Sequence, residues 1–417
     1  MEKSTVLEKA KRILNLGYVC DHCLGRQFAQ LLQGYENSER GKIIRSFVAI
    51  SLDSGEKIGV DLSNFEGFKL RFKEIKKTDN KKTCVVCKNL FEELDKYVKI
   101  AEKKLKKIEF NNFLVGTKLT KKLVGTEEWI WENAGIEWCE PIKSELNRLM
   151  GKELEKRFKK PVEFKKPEVV VTLNLRKKDV DLSINSLYLY GEYNKFVRNI
   201  PQTKWPSGKY KNSIEQIIAR PLMKQIGGSG HKFHGCGRED IDARCLGWRP
   251  FVLEILEPKK RKIDLKKLRE DVKKTKKVEI RKLKVVGSEV VERIKSSRPE
   301  KTYRTVVKLK EKIDNKDLKK LSILKNKMIY QETPQRVLHR RADKLRKRVV
   351  KDIKWKKIGN KKIELTLTTE AGTYIKELVS GDKGRTYPSV SEILRNPAEV
   401  TELDVVKVHK KENYVKG

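Results

Sequence analysis

Two Cys-x-x-Cys pairs, Cys20–Cys23 and Cys84–Cys87, limit what the first part of this chain can fold into. Two intervening residues let both thiolates of a pair face one tetrahedral ion, and two pairs complete a four-sulfur shell. An ion held by Cys20, Cys23, Cys84 and Cys87 ties together segments separated by residues 24–83. Four ligands leave no open position, so the expected zinc is structural and not catalytic. His22, inside the first pair, is expected to point outward. With Cys139, Cys236 and Cys245 the total is an odd seven, which argues against a disulfide framework.

Periodicity divides the chain. Leu7, Ala10, Ile13 and Leu14 share one helical face that ends at Gly17, and Leu90, Phe91, Leu94, Val98, Ala101, Leu105 and Ile108 repeat that spacing. Residues 113–119 read as a short strand and 142–159 as a helix, followed by a Pro-bearing break at 159–168. The boundary is expected there, giving an α/β domain over 1–165 and a second domain over 166–417. In the second, strands are expected at 168–175, 180–184, 251–256, 302–309, 328–331, 363–369 and 400–408, with helices at 213–223 and 389–395. That order is α+β: a mixed, largely antiparallel sheet flanked by helices, and not a regular βαβ array.

Charge points to a partner. Ninety-seven Lys and Arg against 57 Asp and Glu leave a formal net charge of +40 over 417 residues. A cytoplasm that merely favours lysine adds glutamate with it; the excess here suits a polyanion, because each neutralised phosphate releases a counterion. No apolar run is long enough to span a bilayer and no apolar leader opens the chain, so the expectation is cytoplasmic, with no membrane partner. Two basic stretches stand out, 258–282 and 339–357; the first reads equally as a solvated helical face, and the second, denser in Arg, is suited to phosphate.

Against that background HGCGREDIDARCLG, residues 234–247, concentrates Glu239, Asp240 and Asp242 between Gly237 and Gly247 and beside Arg238 and Arg244. A carboxylate next to a cation stays ionised, and glycine lets a bulky substrate approach. Such a group binds a metal, acts as a base or attacks an electrophilic carbon. Taken alone, the stretch reads just as well as a surface loop with local ion pairs.

GREDIDARCLG with RPFVLEI (249–255) and GEYNKFVRNIPQTKW (191–205) closely resembles the tRNA pseudouridine(54/55) synthase family of archaea and eukaryotes, as do KTYRTVV (301–307), HRRADKLRKR (339–348) and AGTYIKELVSGDKGRTYPSV (371–390). The cysteine pairs and FLVGTKL resemble that family's accessory domain, a THUMP-containing RNA-binding module. One departure is Trp248, where the family usually has Gly before Arg-Pro. The resemblance implies a pseudouridine synthase fold and an isomerase that acts on the adjacent uridines of the tRNA TΨC arm. It implies zinc as a structural ion, no cofactor for catalysis and no obligate protein partner. The nucleophile is implied by the Arg-x-Asp pattern to be Asp240, with Asp242 as its rival. Tyr303 is implied to stack on the target base, Lys376 to pair with Asp240 from a strand, and Tyr374 and Arg238 to contact substrate. Arg340, Arg341, Lys344 and Arg346 are expected to touch RNA backbone. Two other classes compete. A nucleotide- or methyl-donor enzyme needs a phosphate loop, for which GGSG (227–230) is a poor candidate; a non-catalytic zinc-stabilised RNA-binding or RNP-assembly protein does not explain the acidic motif.

Overall fold

The computed structural model describes residues 5–71, 75, 82–410 and 414–415, without the side chain of Arg340. It divides into two compact units, Met1–Asn185 and Ser186–Gly417.

In the first unit, helix α1 (Val6–Asn15) is capped by the Thr5 hydroxyl, which accepts from the amide of Glu8, and buries Ala10, Ile13 and Leu14 as its periodicity requires. The one-turn helix α2 (Asp21–Gly25) starts directly after Cys20, and α3 runs Asn37–Asp53. The helical spacing over 89–108 resolves into a 3₁₀ turn, Leu90–Glu93, and α4 (Leu94–Leu105). Strand β1 (Phe113–Lys118) follows, then α5 (Lys121–Ala134) and α6 (Ile142–Phe158).

The expected boundary at 165/166 falls about 20 residues early. Strands β2 (Val169–Asn174) and β3 (Asp179–Ile184) complete the first unit's sheet, in the order β1-β2-β3. β2 pairs parallel with β1 (Phe113 opposite Val169) and antiparallel with β3 (Val169 opposite Ile184). The β-branched run at 169–171 is a central strand and needs a neighbour on each side. β1 supplies one of them, and α5 and α6 form the crossover that a parallel pair demands.

The second unit contains β4 (Leu187–Lys195), α7 (Ile214–Ile226), β5 (Gly230–Gly235), β6 (Arg244–Leu256), α8 (Leu265–Lys273), β7 (Val278–Val286), α9 (Glu289–Ser296) and β8 (Glu300–Leu309). It continues with α10 (Asn315–Leu318), β9 (Lys327–Gln331), β10 (Arg346–Gly359), β11 (Lys362–Thr369), α11 (Ile375–Ser380), β12 (Thr386–Tyr387), α12 (Val390–Ile393) and β13 (Ala398–His409). These strands form one ten-stranded sheet ordered β12-β9-β10-β11-β8-β13-β6-β4-β7, with β5 added to β6. The β13–β6 pair is parallel and the remaining pairs antiparallel, as the α+β expectation requires.

Alternation fixes what each face carries. Tyr303, Val307, Leu365, Leu367, Leu403 and Val405 share one core, while Arg304, Thr366 and Lys354 alternate to the opposite side and are half-buried or exposed. The basic stretch 258–282 forms α8, with Leu268 and Val272 buried, and then enters β7. The second stretch leaves a 3₁₀ turn, Gln335–Arg340, and runs through a loop into β10. GGSG leaves a helix and enters a strand, the reverse of a phosphate-binding turn.

Candidate active site

The acidic stretch is the loop between β5 and β6, and its three carboxylates have three different fates. The Glu239 side chain is 1% exposed. Its oxygens accept from the Tyr193 hydroxyl at 3.0 and 3.1 Å and lie 3.0 Å from Arg249 Nε and 3.9 Å from Lys195 Nζ. Arg249 Nη1 also donates to the carbonyl of Cys236, and Gln202 Nε2 donates to the Tyr193 hydroxyl and to the carbonyl of Gly237. The Lys195 ammonium spends its donors on the carbonyls of Ile200, Asp240 and Ile241. Residues 191–205 and 249 therefore buttress the acidic loop from beneath, which explains why the three motifs belong together. Gly237 has φ +74°, and a Cβ there would meet Arg249 Nη1 at 3.3 Å, so the turn needs glycine.

Asp240 instead faces a cleft of about 600 Å³ whose wall includes Arg238, Tyr303, Arg336, Arg341, Arg348 and Tyr374. Its oxygens accept from Arg336 Nη1 at 3.4 Å and Nη2 at 3.2 Å, and Lys376 Nζ stands 3.8 Å away. Arg336 is held in turn by Glu377, which accepts from its Nε at 2.7 Å. Lys376 is closer to Asp242, at 2.6 Å. Partial burial raises the Asp242 carboxyl, but the bond to Lys376 outweighs it and the net shift is downward. Asp242 shares the lysine with Asp240 but is 55% exposed and does not line the cleft.

Tyr303 sits on β8 in the cleft floor, and burial pushes its hydroxyl up to about 12, partly offset by Arg249. Lys301, two residues earlier and also in the cleft wall, is pulled down to about 8 by burial and by the charge of Arg249; its ammonium donates to the carbonyl of Pro299. The strand expected to carry Lys376 is instead a turn leading into α11, with Tyr374 as its N-cap residue. Ile375, Leu378 and Val379 bury one helical face, a spacing of three and four that overrides the strand-like Thr-Tyr-Ile. Tyr374 is half-buried in the cleft wall, its hydroxyl accepting from Arg341 Nη1 at 2.9 Å. Arg346 donates to Thr333 Oγ1, its guanidinium 5.9 Å from the Tyr374 ring, while Lys344 is exposed. The Arg340 side chain lies outside the described ones. The nearest cation to Asp240 is thus Arg336, which sequence reasoning missed: 96 residues separate the pair, and no spacing links them.

Trp248, the departure from the expected motif, points away from Arg249 and lies 4.1 Å from the Arg281 guanidinium, which stacks on it.

In the first unit Cys20, Cys23, Cys84 and Cys87 bring their sulfurs within 4.8 Å of one another. Cys20 Sγ and Cys87 Sγ are 3.6 Å apart, close to the ~3.8 Å edge of a tetrahedron with 2.3 Å metal–sulfur bonds. Burial drives the Cys23 thiol well above its ordinary range, a cost that a bound cation removes. The donor set fits a tetrahedral soft-metal ion. His22 stays outside it: Nδ1 is 2.8 Å from Glu145 Oε1, and the ring stacks on Phe91 at 4.4 Å.

Comparison with known proteins agrees with this architecture. Residues 188–409 match the family model "Pus10, C-terminal" and residues 97–174 match "Pus10 THUMP domain, archaeal". A protein of Pyrococcus furiosus named tRNA pseudouridine synthase Pus10 is 40% identical over 97% of this chain and 98% of its own length. Its namesake in Methanothrix thermoacetophila is 37% identical over 97% of this chain and 95% of its own. The fold and site define a pseudouridine synthase with a THUMP domain. The chain belongs to the Pus10 family of tRNA pseudouridine synthases. Among solved structures, a Cbf5-Nop10-Gar1 complex matches 53% of this chain and 50% of that one at 17% identity with a TM-score of 0.31.

Proposed function

We propose that the chain isomerises uridine to pseudouridine at positions 54 and 55 of the tRNA TΨC arm, with Asp240 as nucleophile. The observation that carries this reading is the pairing of opposites in one loop: Glu239 is locked into the fold, while the next carboxylate is presented to an open cleft by Arg336. A cation within hydrogen-bond reach keeps a carboxylate ionised and aimed.

The reaction breaks the N1–C1′ bond and forms C5–C1′; C5 loses its proton and N1 gains one. Atoms and electrons balance without a redox partner, nucleotide or catalytic metal. Asp240 attacks either the ribose or the uracil ring and is released when the base rejoins. The target uridine leaves its stack, at a cost that aromatic contact and a dry pocket offset. Tyr303 in the cleft floor supplies the first such surface, and Tyr374, held by Arg341, the second. Arg238 and Arg341 on the cleft wall, with Lys344 and Arg346, hold the flanking backbone.

The first unit is read as the RNA-binding accessory domain, with zinc at Cys20, Cys23, Cys84 and Cys87 as its structural ion. A tRNA substrate is the ground for reading the enzyme as cytoplasmic. Among the described residues no helix is long and apolar enough to cross a membrane. The test uses tRNA transcripts with 5-tritiated uridine, intact or with uridine 54, 55 or both replaced by cytidine. Tritium release that falls with each replacement and stops with both supports the reading, whereas undiminished release from the double replacement contradicts it.

A further inference from the structure

Behind the cleft floor, on the opposite face of the sheet, one buried carboxylate collects three arginines. Asp404 on β13 is 3% exposed. Its Oδ1 accepts from Arg198 Nη2 at 2.8 Å and Arg244 Nε at 2.9 Å, and its Oδ2 from Arg244 Nη2 at 2.6 Å and Arg304 Nη2 at 3.1 Å. Arg198 also reaches Glu402 at 3.3 Å and donates to the carbonyls of Asp242 and Leu403. The cluster is therefore joined directly to the loop that presents Asp240.

Two features exceed what a structural clamp needs. Three guanidinium charges face two carboxylates, leaving positive charge in excess. And Arg244 and Arg304 give Asp404 only part of their donors, Nε and Nη2 of the first and Nη2 of the second, while their side chains stay 31% and 42% exposed. Solvent-facing guanidinium edges on side chains that a buried carboxylate already orients form an oxyanion fork whose ordering cost is partly met by the fold.

Register extends the fork into a track. Arg244 lies opposite Asp404, Asp404 opposite Arg304, Arg304 opposite Thr366 and Thr366 opposite Lys354. Directly opposed residues share a face, and each strand adds about 4.8 Å. Arg244, Arg304 and the exposed Lys354 therefore stand at roughly 0, 10 and 19 Å along one line across the sheet.

We propose that Arg244 and Arg304, organised by Asp404 and Arg198, bind phosphodiester groups of the substrate RNA, with Lys354 continuing the same track. The proposal rests on the RNA-substrate reading above. Arg198 ties the fork to the carbonyl of Asp242, so occupancy by phosphate also steadies the nucleophile's loop.

The test compares wild type with Arg304→Gln, Arg304→Lys and Lys354→Gln, and with Lys320→Gln as a remote charge control, by the affinity for an unmodified tRNA transcript across a series of KCl concentrations and by tritium release. Arg304→Gln leaves Asp404 with Arg198 and Arg244, and Lys354 is exposed, so both variants should fold. Arg304→Gln is expected to weaken binding several-fold and flatten the log–log salt slope by about one. KM should rise with kcat little changed, Arg304→Lys should restore the slope, Lys354→Gln should show a smaller loss, and Lys320→Gln none. Wild-type affinity and slope in both Gln variants, with wild-type tritium release intact, would overturn the phosphate track while leaving the synthase reading in place. A wild type that neither binds nor modifies tRNA would overturn both.

Discussion

The cysteine cluster and the Asp240 cleft both gather groups that are costly to bury, and they resolve that cost in opposite ways. In the first unit four sulfurs close on one another, and His22, although inside the motif, is diverted to Glu145 and Phe91. Nothing is left to react. In the second unit Glu239 is closed off just as thoroughly, by Tyr193, Arg249 and Lys195, but the neighbouring Asp240 keeps 34% of its side chain accessible under two cations. A closed shell holds structure; a closed shell with one carboxylate turned outward holds structure and leaves that carboxylate accessible.

That contrast can be broken most forcefully at the cysteines. Stripping the metal with a chelator, or Cys84→Ser, is expected to remove on the order of 10 kcal/mol from the first unit. Calorimetry should show its transition collapsing and tRNA affinity falling with it, while the second unit's transition stays. Unchanged melting after verified metal removal would reduce the cluster to four packed thiols.

Glu239→Gln tests whether the second unit is closed in the same sense. Removing one partner of a buried ion pair costs about 3–5 kcal/mol because Arg249 and Lys195 are left uncompensated. The second unit should melt markedly lower, with Asp242→Asn, an exposed partner, within about 1 kcal/mol of wild type. Equal effects would mean that the loop is held by its surface pairs.

The smallest expected effect concerns the cost stored in the cleft floor. Lys301 titrates near 8 in the fold against an ordinary 10.5. Its charged form is therefore penalised on folding: the penalty is present in full below pH 8 and fades as pH rises from 8 to 10.5. Lys301→Met removes it, so the variant's melting temperature relative to wild type should be highest near pH 7 and decline by pH 10. The underlying difference is at most about 3 kcal/mol. A difference that stays flat with pH would show that Lys301 carries no such cost.

How much of this was visible in the chain depends on how local each signal is. The cysteine pairs and the strands at 302–309 and 363–369 announce themselves within a few residues, because tetrahedral coordination and the two-residue period are local rules. The boundary was misplaced because 169–184 looks the same whichever sheet it joins; only its register with Phe113–Lys118 decides, and that is long-range. Lys376 was assigned to a strand and to Asp240, yet it sits on a short helix and bonds Asp242 more closely, since a six-residue segment is too short to set one period against the other. Arg336 and the Asp404 cluster were illegible for the same reason: they are assembled by sheet order across 96 to 206 residues. The acidic stretch, by contrast, could be located but not sorted. Which of Glu239, Asp240 and Asp242 is anchor and which is presented is decided by Arg249, Arg336 and Lys376, and the last two lie 96 and 134 residues from the carboxylates they meet.

The most direct test of the account is single-turnover tritium release from 5-tritiated uridine in tRNA with Asp240→Asn and Asp242→Asn, each first shown to bind tRNA as wild type does. The account predicts that Asp240→Asn loses on the order of a thousandfold or more and that Asp242→Asn stays within about tenfold of wild type, the loss of one Lys376 contact. Release that survives in Asp240→Asn and disappears in Asp242→Asn would contradict it, and would move the chemistry from the carboxylate in the cleft to the one beside it.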